Sequence, residues 1–156
     1  AAALAAVMVA ADVEQEGEEA EAEAEEDASG SAMLGATLRL LTACAREPRG
    51  ATIICEAGAL PLLVKLLCTS DAGGDTHGNA AMCIGECAKD GRCLAVLAVQ
   101  PLVPPLLDMA HSRTGQQQKN AAIALGRLAK NERCLQAIRD NHGIEILARS
   151  MKKMQM

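Results

Sequence analysis

Apolar residues recur along this chain at helical spacing, in three stretches that resemble one another. In the last of them, QKNAAIALGRLAKNERCLQAIRDNHGIEILARSM (118–151), the spacing predicts a helix over about 116–130. Ala122, Leu125 and Ala129 fall on one face at i, i+3 and i+7, with Leu128 beside them. Asn120, Ile123, Arg127 and Lys130 fall on another face. A shorter helix carries Leu135 and Ile138, and a third carries Ile144, Leu147 and Met151, with Gly143 expected to supply a positive φ between the two. One helix cannot bury such a stripe by itself, so this unit requires neighbours built in the same way.

Those neighbours are in the sequence. A slide of 41 residues places Asn79, Ala80, Ala81, Gly85, Ala88, Lys89, Arg92, Cys93 and Leu94 over Asn120, Ala121, Ala122, Gly126, Ala129, Lys130, Arg133, Cys134 and Leu135. A slide of 43 brings in an earlier copy. It sets Leu41, Cys44, Ala45 and Arg49 under Ile84, Cys87, Ala88 and Arg92, and Leu60, Pro61 and Leu63 under Val103, Pro104 and Leu106. Three-helix units with a period of 41–43 residues predict an all-α helical solenoid. The expected division is an Ala-rich and acidic arm over 1–30 and a solenoid over 31–156 of about two and a half repeats. These comprise a partial repeat 31–47, repeats at about 48–90 and 91–130, and a terminal partial repeat 131–156.

Local signals fill in the early helices. Leu34, Leu38, Leu41 and Ala45 form a stripe that Pro48 ends, and a short helix over 51–57 stops at Gly58. Pro61 then suits the first turn of a helix whose Leu62, Leu63, Leu66 and Leu67 are expected to pack inward. Thr69–Gly78 reads as a loop, and Thr114 with Gln117 as a capping box for the last long helix. The array starts and stops inside a unit. Leu34, Leu38 and Leu41 at one end and Ile144, Leu147 and Met151 at the other are therefore expected to be partly uncovered, with self-association through those ends.

Composition narrows the classes. Half of the 156 residues are apolar, yet Phe, Tyr and Trp are absent, so the core must be built of Leu, Ile, Val, Ala, Met and Cys. Without aromatic rings there is no stacking platform for single-stranded nucleic acid. Seven cysteines, an odd number without disulfide-like spacing, imply a reducing compartment and a cytoplasmic protein. The apolar run 1–10 is too short to span a bilayer, so no membrane partner is expected. Ten of the twenty acidic residues lie between Asp12 and Asp27. Charge at that density predicts a solvated, disordered segment, either a solubilising linker or a tail for a basic partner. The remaining body carries fifteen basic and ten acidic residues, about +5 against −5 for the whole chain. That is compatible with an acidic protein surface and too diffuse for nucleic acid.

The rhythm of NAAIALGRLAK (120–130) followed by RCL (133–135) and HGIEIL (142–147) resembles the armadillo repeat. The resemblance covers about 31–154 and implies a right-handed solenoid in which two shorter helices precede a longer third helix lining a groove. Within the family, the closing stretch is similar to cytoplasmic factors that assemble axonemal dynein arms. This implies a non-catalytic interaction scaffold in the cytoplasm or cilium, with dynein-arm components or chaperones as protein partners. The alternative is a permanent structural subunit of an assembly such as the axoneme. Peptide-binding members present an Asn ladder with Trp one turn earlier. The matching positions here are Ala43, Glu86 and Arg127, and Arg39, Met82 and Ile123, so peptide capture by that mechanism is not expected.

Candidate chemistry is sparse. Cys83, Cys87 and Cys93 with His77 have the residue types of a zinc site, but Cys83 aligns with Ala124 and Cys87 with Leu128. Positions that exchange with Ala and Leu read as small buried hydrophobes, so no metal and no cofactor is expected. No nucleophile–base motif or phosphate loop stands out, so no catalytic residue is assigned. The candidate partner surface is the groove face of Asn79, Met82, Glu86 and Lys89, continued by Asn120, Ile123, Arg127 and Lys130. Glu86 and Arg127 are expected to pair across adjacent helices and give it mixed charge. Asn79 and Asn120 could instead hold a neighbouring backbone group at the start of a helix, and that reading is favoured.

Overall fold

The computed structural model describes residues 29–69 and 74–154, and these are helical apart from short turns. The acidic block, the Ala-rich run and most of the expected arm lie outside the described residues. Helix is already present at 29 and 30, two residues before the expected start. The chain forms two compact units, Ala1–Leu34 and Gly35–Met156. Of the first, only the helical residues 29–34 are described.

The second unit consists of α1 (35–46), α2 (Gly50–Glu56), α3 (Ala59–Cys68), α4 (Gly74–Cys87), α5 (Gly91–Leu97), α6 (Val103–Ser112), α7 (Gly115–Leu128), α8 (Glu132–Asp140) and α9 (Gly143–Met154). The protein is all-α, with no strand among the described residues. The start of α4 shortens the expected 69–78 loop, since 74–78 are helical.

The short helices start at equivalent positions. Asp90 caps α5 by accepting from the Arg92 and Cys93 N–H groups, and Asn131, 41 residues on, does the same for Arg133 and Cys134. Each cap satisfies donors that the first helical turn cannot bond internally. Arg49 holds the corresponding position before α2 without a side-chain cap, at φ 69°. Gly50 follows because the chain turns so tightly there that a β-carbon would fall 1.7 Å from the Cys44 carbonyl oxygen.

The core mixes Leu and Ile with Ala and Cys, and the small residues let helices approach closely where α4 meets α7. Ala80, Cys83, Ile84 and Cys87 of α4 are buried, and Ala121, Ala124, Leu125 and Leu128 of α7 repeat that pattern. Among α2 to α9, α4 and α7 form the most extensive helix pair, and α6–α7 and α3–α4 come next. At Gly85, a β-carbon would sit 3.3 Å from the Ala124 Cα. The earliest copy has a different register. Leu38, Thr42 and Ala45 are buried where α4 buries Ala80, Ile84 and Cys87, an offset of 42, while Cys44 is exposed. The 43-residue slide therefore misplaces Cys44 under the buried Cys87 by one position.

Several local expectations are corrected. In α3 the buried stripe is Leu60, Leu63, Val64 and Leu67, and Leu62 points to solvent. Thr114 sits at the N-cap of α7 but its side chain caps nothing, so the capping box with Gln117 does not form. The left-handed residue between α8 and α9 is His142, at φ 55°, not Gly143. Gly143 is required for packing instead, because a β-carbon there would lie 2.6 Å from Ile138 Cγ2 and 2.9 Å from Leu107 Cδ2. Of the six end residues, Leu38 is fully buried, Leu34, Leu41 and Leu147 are half-buried, and Ile144 and Met151 are exposed.

Among the described residues no single helix is long and apolar enough to cross a membrane. α2 and α3 together have the length and composition but bend by 85° at their junction.

Candidate partner-binding face

The long helices α1, α4 and α7 each contribute a row of side chains spaced at three and four residues. The rows meet at Glu86, whose position is the least expected feature of the face. Its side chain is only 4% exposed, although it is a carboxylate. Three cations surround it. Arg127 donates from a terminal guanidinium nitrogen to Oε1 at 3.1 Å, the Arg46 Nε lies 3.6 Å from the same oxygen, and Lys89 Nζ lies 2.6 Å from Oε2. Burial pushes the Glu86 carboxyl up, but the hydrogen bonds and charges of Lys89 and Arg127 outweigh it and hold the group below its ordinary range.

The other residues of the expected face fall into two sets. Lys89 and Lys130 are exposed, Ile123 is exposed, and Met82 and Asn79 are half-buried. Asn120 is buried at 4% exposure. Its Nδ2 donates to the Gly78 carbonyl of α4 at 2.8 Å, and its Oδ1 accepts from Gln116 at 2.7 Å. The Asn120 amide therefore ties α7 to the backbone of α4. Glu86 and Asn120 are the two members of the candidate set that the fold encloses.

The Glu86–Arg127 contact joins residues 41 apart, as the sequence offset implies, but the face is not mixed in charge. Its one carboxylate is enclosed, while Arg46 and Lys89 remain 56% and 54% exposed around it. Arg46 was missed as a member of the site. The 43-residue slide does set Arg46 under Lys89, but the buried positions of α1 follow an offset of 42, so the string alone does not place Arg46 beside Glu86. Arg39 belongs to the same face: its guanidinium and the Asn79 amide both approach the space beside Gly35.

The cysteines show no convergence toward a metal. Among the described residues no three His, Cys, Asp or Glu side chains could jointly hold an ion. Cys83, Cys87, Cys93 and Cys134 are buried, and Cys93 bonds the Ala51 carbonyl at 3.2 Å. Burial and the adjacent Asp90 carboxylate push the Cys93 thiol up to about 12. The hydrogen bond with Cys83 and burial push Cys87 up as well. Thiols held in that direction are poor nucleophiles and poor ligands at neutral pH. His77 donates from Nε2 to the Thr69 carbonyl at 2.6 Å, in a cleft of about 380 Å³ that Asp108, Met109 and Arg113 also line. Cys68 lines the same cleft, whereas Cys83, Cys87 and Cys93 do not.

Comparison of the chain with protein-family models, with curated proteins and with solved structures returns no match.

Proposed function

We infer that this chain is a non-catalytic protein–protein interaction scaffold, built as an armadillo-type helical solenoid of about two and a half repeats. The observation that carries the reading is the equivalence of elements 41 residues apart. α5 and α8 begin at the same capped position, and α4 and α7 bury the same four positions and pack on each other. A stack of this kind presents one side chain row per long helix on a common surface, a geometry suited to holding an extended or folded partner. The closing stretch resembles the C-terminal armadillo segment of tetratricopeptide repeat protein 12, and on that likeness the scaffold is proposed to serve cytoplasmic assembly of axonemal dynein.

Lysine-directed crosslinking of the tagged full chain in ciliated cells tests this. Crosslinks from Lys89 and Lys130 to one recurring partner are expected, and crosslinks confined to Lys65 and Lys152 would overturn the assignment of the face. A second reading, a permanent structural subunit of a larger assembly, draws on the exposed Ile144 and Met151, which lie seven residues apart on α9. Stoichiometric recovery that survives high salt favours the subunit, and transient recovery favours the assembly factor.

A further inference from the structure

The three long helices and the residues that end them, 35–46, 74–89 and 115–130, contain six basic residues and two acidic ones, Asp75 and Glu86. Asp75 lies in the first turn of α4, away from Glu86 in the last. Three cations within 4 Å of the Glu86 carboxylate leave two positive charges uncompensated. The geometry also decides where that excess is felt. The carboxylate is inside, whereas Arg46 and Lys89 stand in solvent on either side of it. Lys130 continues the row at the position one 41-residue offset beyond Lys89.

Resting on the scaffold reading above, we propose that this face recognises an acidic peptide segment of a partner protein, with Arg46, Lys89 and Lys130 meeting successive carboxylates. Glu86 acts here as an internal positioning residue. It draws Arg46, Lys89 and Arg127 together against their mutual repulsion and presents their remaining donors outward. Guanidinium groups suit carboxylates because two parallel N–H groups can serve both oxygens. Row spacing selects a partner whose acidic residues are spread along an extended chain.

The test uses fluorescein-labelled twelve-residue peptides and the full chain, read by anisotropy at low and physiological salt. An alternating Glu–Ser peptide is expected to bind with an affinity that falls as salt rises, while Lys–Ser and Gln–Ser peptides do not bind. The double variant R46Q/K89Q should weaken the acidic peptide about fivefold, the modest loss expected when two solvent-exposed ion pairs are removed. The control R149Q/K152Q removes the same charge from exposed positions on α9 and should leave binding unchanged. Circular dichroism establishes that both variants remain folded. Absence of binding to the Glu–Ser peptide, or equal weakening by the two double variants, overturns the proposal. If crosslinking finds a partner at Lys89 and Lys130 while the acidic peptide fails to bind, the scaffold reading stands and the acidic specificity falls.

Discussion

Replacing Glu86 by Gln isolates what the enclosed carboxylate contributes. The substitution keeps the side chain's shape and removes its charge, so Arg46, Lys89 and Arg127 are left facing one another. At an effective dielectric of about 20, a unit charge pair separated by about 3 Å attracts by about 5 kcal/mol. Withdrawing the carboxylate from water consumes several kcal/mol of that gain. Arg46 and Lys89 are more than half exposed, so solvent screening reduces each to about 1 kcal/mol or less. Arg127, 23% exposed and hydrogen-bonded at 3.1 Å, supplies the larger share. The expected loss is about 2 kcal/mol at pH 7, or a fall in Tm of roughly 6–12 °C for a unit of this size. Its pH dependence has a definite sign. The folded carboxyl titrates below its ordinary value, so its contribution is fully present above the unfolded value of about 4.3 and is lost as pH falls through the folded one. Urea unfolding monitored by helical circular dichroism, at pH 7 and stepped from pH 5 to 3, measures both effects. The wild-type and E86Q stabilities should converge as the pH drops. A difference below about 0.5 kcal/mol at pH 7, or one that stays constant to pH 3, would refute the reasoning.

Three further perturbations separate packing, capping and thiol burial. Gly143→Ala should cost about 1–3 kcal/mol because its β-carbon meets Ile138 and Leu107. Gly126→Ala, in the interior of α7 with nothing within 4 Å, should stabilise by about 0.5–1 kcal/mol, and thermal melting of the two variants distinguishes them. Asp90→Ala and Asn131→Ala should each cost about 1 kcal/mol, whereas Thr114→Ala should change stability by less than about 0.5, as read by urea midpoints. Brief alkylation of the native chain at pH 8 should label Cys44 and Cys68 and spare Cys83, Cys87, Cys93 and Cys134; peptide mass mapping that finds Cys93 modified as fast as Cys44 contradicts the burial assigned to it.

Much of the helical layout was legible before any coordinates. Helix positions derive from apolar spacing and from Gly and Pro punctuation, which are local properties, and so α2, α5, α7 and α8 lie close to where the pattern places them. The 41-residue offset identified which positions are equivalent, including Glu86 beside Arg127, because a recurring unit must meet its neighbour in a recurring way.

The phase of a helix is another matter where apolar residues surround it. Between Leu60 and Leu67 only Pro61 and Lys65 interrupt the apolar run, so sequence could not say that Leu63 turns inward and Leu62 outward. That choice belongs to the helices packed on α3, α4 foremost with α2, α5 and α6, which cover the side that carries Leu60, Leu63, Val64 and Leu67. Tertiary structure likewise decided that Gly143 serves a close contact while His142 takes the left-handed turn, since the proximity of Leu107 is invisible in a string. The same holds for the candidate face. A Glu, two Arg and a Lys at helical spacing read as solvated surface, because charged side chains are rarely enclosed. Lys89 reaches Glu86 from three residues along the same segment, but only the convergence of α1, α4 and α7 brings Arg46 and Arg127 within 4 Å of it, and that convergence makes its burial tolerable and leaves the surface around it basic.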